Sequence, residues 1–326
     1  MKKLYILAGA IFVCCALLAH PVFAQDRKLP LIGILWVGDV KNSAPYLNPL
    51  LESLRKLGWV DGKTAKFILR FDGEDRSKLP ALAKELVALK VDVLVATDSA
   101  LLAAKQATST IPIVCPDLFD PIEEGVSNSL AKPNQNITGF SFQSLDIAAK
   151  RVEFAKEILP TLKTIGLIYD TNEPGAHMEM KGFAEGARRS GATLKKYALR
   201  GPEDFDSVFA AIRKDRPDVL MISATTLTIF RFDKLARFAL DARLPTFSEI
   251  PEFASAGGLL TYGVRIADAS ASAAEQVNRI LKGAKPSELP FLQPTKFELV
   301  VNLKTAKVLG IKIPESIMLR ATEVIR

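Results

Sequence analysis

The chain has 326 residues, enough for about two domains, and its 48% hydrophobic and 24% charged residues indicate a globular protein without signs of disorder. The formal net charge of +7 is scattered over lysines and arginines that occur singly or in pairs, without interleaved aromatic residues, which argues against a nucleic-acid partner. Two histidines are too few for a histidine-rich metal site, and neither a metal nor a cofactor is expected.

The N-terminus has the pattern of a secretory signal peptide. Two lysines precede an apolar run over residues 4–19, and small residues up to Ala24 suit cleavage directly after that position. The apolar run is shorter than the roughly 20 residues that a membrane-spanning helix needs. Residues 1–24 are therefore predicted to be removed, which leaves a soluble periplasmic protein; a lipoprotein anchored at Cys14 or Cys15 is the alternative.

The mature chain alternates short apolar runs with amphipathic segments. The runs are rich in β-branched residues and too short for helices, which is typical of buried strands in a parallel sheet. In the first half the predicted elements are a strand at 31–37, a helix at 45–57, a strand at 66–71, a helix at 78–89, a strand at 91–97, a helix at 100–108 and a strand at 111–114.

The second half repeats this pattern at an offset of about 130 residues, which fits two similar α/β lobes better than a solenoid. Gly33 corresponds to Gly166, for example, and each lies in a strand of similar sequence. The predicted elements are a helix at 147–159, strands at 164–169, 217–223, 244–248 and 258–262, a helix at 266–281, a strand at 297–302 and a final helix ending at Leu309.

Polar and aromatic side chains follow several of these strands. Ligands of open parallel sheets bind beyond the carboxyl ends of the strands, where Asp98, Ser99 and Asp120 stand. Ser99 could open the following helix and aim its backbone N–H groups at an anion, whereas Asp120 before a proline could equally cap a turn. Trp36 and Phe119 could stack on a flat ligand, although Trp36 could equally belong to the core.

Two stretches resemble a known family. They are the segment from Ser99 to Gly139, with its Asp-Pro-x-x-x-Gly motif at Asp120, and the tail that contains QPTKFELVVNLKTAK. Both resemble ABC-transporter substrate-binding proteins of the group that includes tryptophan- and tyrosine-type receptors, and the similarity covers nearly the whole mature chain. The resemblance implies a type I periplasmic-binding-protein fold, in which two Rossmann-like lobes with parallel sheets are joined by a three-segment hinge.

The resemblance also implies a ligand site between the lobes. The loop at Asp98 and Ser99 would hold a ligand carboxylate, although many relatives have glycine in place of Asp98. Acidic groups at Asp170 and Glu173 could pair with a ligand ammonium. The full set of predicted ligand-binding residues is Trp36, Asp98, Ser99, Phe119, Asp120, Tyr169, Asp170, Glu173, Thr225, Ser248, Glu249 and Tyr262.

These observations predict one lobe of residues 25–140 with 263–290 and another of residues 141–262 with 291–326. The expected function is that of a monomeric periplasmic receptor of an ABC importer, which captures an amino-acid-like solute and passes it to an inner-membrane permease without chemistry. The alternatives are an exported sensor that reports ligand occupancy to a membrane receptor, and a hydrolase built on the same two lobes.

Overall fold

A computed structural model describes residues 29–326, so the predicted signal peptide at 1–24 lies outside the described residues. The described chain forms a five-stranded sheet and a seven-stranded sheet, and both are flanked by helices. The strands are numbered β1 to β12 and the helices α1 to α12 in chain order. None of the helices within residues 29–326 is both long enough and apolar enough to cross a membrane.

The first lobe is the five-stranded sheet with its helices. Its strands are β1 (Leu31–Trp36), β2 (Lys66–Phe71), β3 (Val93–Ala96), β4 (Ile113–Leu118) and β5 (Ile137–Ser141). They are parallel throughout and lie in the order β2-β1-β3-β4-β5. The helices of this lobe are α1 (Val40–Lys56), α2 (Leu79–Ala88), α3 (Asp98–Ala107) and α10 (Ile266–Leu281), of which α10 packs against α1.

The second lobe is the seven-stranded sheet with its helices. Its strands are β6 (Thr164–Asp170), β7 (Thr193–Leu199), β8 (Val219–Ile222), β9 (Thr246–Ser248), β10 (Leu260–Gly263), β11 (Glu298–Asn302) and β12 (Glu323–Ile325). They lie in the order β12-β11-β10-β9-β8-β6-β7, and all neighbours are parallel except β10 and β11.

The helices of the second lobe cover both faces of its sheet. They are α4 (Ser144–Ile158), α5 (Pro174–Ser190), α6 (Phe205–Asp215), α7 (Thr226–Ile229), α8 (Phe232–Asp241), α9 (Glu252–Ser255), α11 (Leu303–Leu309) and α12 (Glu315–Arg320). The central strands are apolar runs buried on both faces, as parallel sheets between two helix layers require. Each lobe therefore has its own hydrophobic core on either side of its sheet.

The two lobes are joined where the chain leaves β5, where it leaves β10 and again ahead of β11. The first and third connections lie side by side, because Phe140 forms a β-bridge with Leu292 and the Ser141 N–H donates to the Leu292 carbonyl at 2.9 Å. The side chains of Gln143 and Gln293 are hydrogen bonded at 2.8 Å in the same place. A compact set of neighbouring segments therefore connects two separately packed units.

The architecture confirms the predicted α/β class with two lobes and parallel sheets, and corrects two elements. The first helix begins at Val40 rather than 45, because the Asp39 carboxylate accepts the Asn42 N–H at 2.8 Å and caps the helix there. The helix that ends at Leu309 is not the last element, since α12 and β12 follow it.

Candidate functional site

The carboxyl ends of the strands of both sheets face a cleft between the lobes, and the cleft contains two adjoining cavities. The larger and more open one, the outer cavity, has a volume of about 450 Å³. The smaller and more enclosed one, the inner cavity, has a volume of about 70 Å³. Both are lined by residues of the two lobes, and they share Val37, Ser99, Thr226 and Phe230. A small molecule held there would contact both lobes.

Aromatic side chains dominate the inner cavity. Trp36, Tyr46, Phe119 and Phe142 line it together with Phe230, which follows α7 in the second lobe. The rings of Tyr46 and Phe230 stack across the lobes with centroids 6.4 Å apart. Burial, together with the nearby charge of Glu252, raises the pKa of Tyr46 to about 12, so its hydroxyl stays protonated. Such walls suit a flat, largely apolar ligand.

The N-terminus of α3 supplies polar groups to the same cavity. The helix begins at Asp98 with Thr97 as its N-cap residue, so the prediction that Ser99 opens the helix is wrong. The Thr97 hydroxyl is buried, and it has no hydrogen-bond partner among residues 29–326. A buried hydroxyl of this kind is stabilised when a ligand completes its hydrogen bonding. Thr225, the N-cap residue of α7, lines the cavity from the other lobe.

Arg76 joins the lobes at the boundary of the two cavities. It lies in a short 3₁₀ helix after β2, and its Nη2 is 3.1 Å from an oxygen of Asp170 and 3.1 Å from an oxygen of Glu173. Both carboxylates are buried in the second lobe. The Ser99 hydroxyl donates to the second oxygen of Glu173. Ser99 and the two predicted acids are therefore brought together as expected, but around a cation that was not predicted.

Further contacts indicate that the lobes are closed on one another. Glu74 of the first lobe is 2.6 Å from Arg231 of the second. The ring of Phe119 lies directly on Gly175 of α5, where even a Cβ atom would overlap it. Ion pairs and an aromatic contact therefore connect the two lobes across the cleft.

Several predicted site residues lie away from both cavities. The Asp120 carboxylate caps a turn by accepting the N–H groups of Ile122 and Glu123 at 2.9 and 3.0 Å. Ser248 is fully buried and donates to the Ile222 carbonyl at 3.0 Å. Hydrogen bonds to backbone groups therefore account for the position of both side chains without a ligand.

The two predicted tyrosines also have structural partners. The ring of Tyr169 meets His177 edge to face at 6.2 Å. Tyr262 packs against Phe154 and Phe297 with centroid distances of 5.0 and 5.7 Å. Both rings belong to the edge of the core of the second lobe. The side chain of Asp98 lies outside the described part of the structure, so its predicted role stays a prediction.

Glu249 belongs to a buried ionic cluster behind the cleft. Arg151 of α4 contacts Glu179 of α5 and lies 3.4 Å from Glu249, and all three side chains are almost inaccessible to solvent. Burial and the charge of Glu179 raise the pKa of Glu249 to about 8, although Arg151 opposes this effect. The cluster joins α4 and α5 to the end of β9 within the second lobe and lies outside both cavities.

No group of three or more His, Cys, Asp or Glu side chains within residues 29–326 could hold a metal ion. The most important residue that sequence reasoning missed is Arg76, followed by Thr97 and Phe230. A signal for Arg76 was present, because it follows the end of β2 at the same edge of the sheet as the predicted residues.

Comparison with known proteins gives a consistent result. Residues 46–325 match the model of a family described as ABC transporter substrate binding protein. A protein named tyrosine-binding protein, from Clostridioides difficile (strain R20291), is 24% identical over 291 residues, which cover 88% of this chain and 83% of that protein.

Solved structures resemble the whole described fold. A domain from Streptococcus pneumoniae in complex with L-Trp is 25% identical with a TM-score of 0.84, and the match covers 91% of this chain and 100% of that one. A conserved domain protein from Vibrio cholerae is 27% identical with a TM-score of 0.85 and the same coverage. A ligand-free, open substrate-binding protein with adhesive properties from Clostridium difficile is 22% identical, with a TM-score of 0.65 and coverage of 91% and 99%.

Proposed function

The chain belongs to the ABC transporter substrate binding protein family, with the type I periplasmic-binding-protein fold, and from this premise we propose that it captures a small aromatic solute that carries a carboxylate. The solute is amino-acid-like and binds in the cleft between the lobes, where the inner cavity adjoins the outer cavity. The observation that carries this proposal is the inner cavity itself, which aromatic rings from both lobes line together with the Thr97 hydroxyl, a group without a hydrogen-bond partner in the described part of the chain.

The proposed binding mode follows from the chemistry of the cavity walls. The solute carboxylate faces the N-terminus of α3, where the Thr97 hydroxyl and the first-turn N–H groups can donate to it. The ring of the solute lies among Trp36, Phe119 and Phe230. A relative named tyrosine-binding protein and a similar structure in complex with L-Trp support an aromatic solute.

Closure of the lobes accompanies binding in this proposal. The higher TM-score with the L-Trp complex, 0.84, than with the ligand-free open structure, 0.65, supports a closed arrangement of the lobes described above. Only the closed form places Phe119 and Phe230 on opposite sides of one cavity, so ligand binding shifts the population toward it. The hinge lies at the connections after β5, after β10 and before β11.

The proposal also specifies the two moving units. Residues 25–140 with 263–290 form one moving lobe, and residues 141–262 with 291–326 form the other; the pairing of β11 with β10 and the packing of α10 against α1 support this division.

Export and delivery complete the proposal. The mature, monomeric protein begins at Gln25 in the periplasm and passes its solute to an inner-membrane permease. N-terminal sequencing of the periplasmic fraction tests the export step, and a diacylated Cys14 or Cys15 would contradict it.

The decisive experiment identifies the solute. Native mass spectrometry of the purified protein should detect a bound small molecule, and calorimetric titration of the ligand-depleted protein with L-tryptophan and L-tyrosine should show saturable binding by at least one of them. A co-purified solute without an aromatic ring or without a carboxylate would overturn the proposal, as would the conversion of the solute into a product.

A further inference from the structure

The carboxylates of Asp170 and Glu173 already have partners within the protein. One oxygen of Asp170 accepts the Asn172 N–H at 2.8 Å, and the other is 3.1 Å from Arg76 Nη2. One oxygen of Glu173 accepts a hydrogen bond from the same nitrogen at 3.1 Å, and the other accepts the Ser99 hydroxyl. Each oxygen of this acidic pair is therefore already engaged in a hydrogen bond or an ion pair within the protein.

Arg76 occupies the place where an incoming cation would be expected. Asp170 and Glu173 are only 1% and 2% exposed, so an uncompensated negative charge there would be costly. A guanidinium that reaches both groups from the opposite lobe offsets that cost. A ligand ammonium would have to displace Arg76 before it could gain the same interactions.

We propose that Arg76 is a specificity-determining residue that takes the place of a ligand ammonium at Asp170 and Glu173. This inference rests on the proposed function and specifies which groups of the solute the site recognises. The solute then needs a ring and a carboxylate but no amino group, and the accepted class comprises aromatic carboxylic acids, with and without an α-amino group. The acidic pair closes the lobes on the solute instead of selecting its ammonium.

The test compares matched ligands that differ only in the amino group. Mature protein is freed of co-purified solute and titrated calorimetrically with L-tryptophan and indole-3-propionate, and with L-tyrosine and 3-(4-hydroxyphenyl)propionate. For the wild type we expect the two members of a pair to differ by no more than about tenfold in Kd. Arg76 already pairs with both buried carboxylates, so the ammonium of the amino acid gains no ion pair there. A preference above about 100-fold for the amino acid would overturn the proposal.

Substitution of Arg76 should change selectivity as well as affinity. In Arg76→Ala the acidic pair becomes available to the ligand, and the ratio of Kd values should shift toward the amino acid by at least about tenfold. Arg76→Gln serves the same purpose if the alanine variant does not fold. Arg76→Lys keeps a cation at this position, so its ratio of Kd values should equal that of the wild type. An equal loss of affinity for both members of a pair would show that Arg76 has only a structural role, and it would overturn the proposal.

Lys181→Ala is the matched control. Lys181 of α5 pairs with Glu123 of the first lobe at 2.8 Å, but both side chains are exposed and lie outside the two cavities. Its loss removes an ion pair between the lobes without touching the acidic pair, so the ratio of Kd values should stay that of the wild type.

A chemical rescue separates failure of this inference from failure of the proposed function. If none of the probes binds, the aromatic solute is wrong, yet Asp170 and Glu173 of Arg76→Ala still lack their cation. Added ethylguanidinium should then raise the Tm of Arg76→Ala relative to wild type and to Lys181→Ala at the same concentration. Absence of this selective rescue would overturn the role of Arg76 as the resident cation.

Discussion

The hydroxyl of Thr97 lies in the inner cavity without a hydrogen-bond partner among residues 29–326, whereas Ser99 donates to Glu173. Thr97→Val keeps the shape of the side chain and removes only the hydroxyl. We expect this change to weaken solute binding by about 1 kcal/mol, the usual value of one hydrogen bond, with little change in Tm. Calorimetric titration with the solute of the wild type and thermal unfolding measure the two quantities.

Ser248→Ala is the converse control for Thr97→Val. The Ser248 hydroxyl is buried and donates to the Ile222 carbonyl, outside both cavities. Its removal should lower the free energy of unfolding by about 1–3 kcal/mol, because the carbonyl loses a buried donor, and it should leave the solute affinity unchanged. A loss of affinity in Ser248→Ala with none in Thr97→Val would contradict the proposed site.

Glu249 makes the stability of the second lobe depend on pH. Its pKa is about 8 in the folded protein, against 4.5 for an ordinary glutamate, because it is buried beside Glu179. The folded state therefore binds more protons than the unfolded state between these values, and the contribution of Glu249 to stability is greatest below pH 4.5 and falls as the pH rises to 8. Glu249→Gln should flatten this dependence in thermal unfolding measured at pH 5, 6.5 and 8.

An exposed glutamate provides the comparison. Glu185 lies on the surface of α5 beside Arg188, whose hydrogen bonds lower its pKa. Glu185→Gln should therefore leave the pH dependence between 5 and 8 as it is in the wild type. An unchanged slope in Glu249→Gln would show that this glutamate is already ionised in the folded protein.

Sequence reasoning at the scale of residues succeeded where a side chain follows a strand and failed where its partner is distant. Asp170 and Glu173 were expected at the cleft, and they line it. Arg76 reaches Asp170 and Glu173 from the opposite lobe, and Phe230 stacks on Tyr46 across the lobes; no local pattern encodes these contacts. Ser248 and Glu249 stand at strand ends too, but their hydrogen bonds and charges are satisfied within one lobe.

At the scale of elements, α12 and β12 close the edge of the second sheet. β12 pairs with β11 in parallel, and Ile317 of α12 is fully buried in the adjoining core. Ile317→Ala should lower the free energy of unfolding by about 2–5 kcal/mol, as expected for a truncation that leaves a cavity. Denaturant unfolding measures this change directly.

The same helix contains its own control. Leu319 is two residues further along and 81% exposed. Leu319→Ala should change the free energy of unfolding by no more than about 0.5 kcal/mol, because no packed contact is lost. Similar effects of the two substitutions would show that α12 is not packed on the core in solution.

Some elements were predictable to the residue, whereas others were missed, among them the 17-residue helix α5. The helix at 266–281 and the strand at 66–71 match their predicted bounds. The helix has an apolar period of three to four residues, and the strand is a short apolar run. The element α12 has six residues and β12 has three, which is too short for a period to emerge. The segment β12 is a strand because it pairs with β11, which is a tertiary contact and not a local property of the sequence.

At the scale of the whole molecule, Gly175 is a probe of closure. It lies in the first turn of α5, where alanine is favoured over glycine by up to about 1 kcal/mol, but its Cβ would overlap the ring of Phe119 in the opposite lobe. Gly175→Ala should therefore keep or raise the Tm while it opposes closure by about 1–3 kcal/mol. Small-angle scattering with added solute, together with calorimetric titration, should detect the open form and the weaker binding.

A second substitution tests the cause of that effect. Phe119→Leu in the Gly175→Ala background removes the overlapping ring edge and should restore the ligand-induced decrease in the radius of gyration. A Gly175→Ala protein that contracts normally on binding would contradict the closed geometry.

The repeated α/β pattern was sufficient to predict two lobes, because each repeat can bury its own core. It was not sufficient to predict how they meet, since the contact between Gly175 and Phe119 depends on hinge angles that no periodicity records. The cavity volume depends on those angles too.

Each lobe contributes both a positive and a negative side chain to the ion pairs at the cleft. The first lobe contributes the cation Arg76 and the anion Glu74, which meet an acidic pair and Arg231 respectively. If the lobes slid past each other so that these partners were exchanged, arginine would face arginine and glutamate would face the acids, an arrangement that like-charge repulsion penalises. The alternation of charge therefore permits only one alignment of the two lobes, so that every closure returns the same pairs of residues to contact.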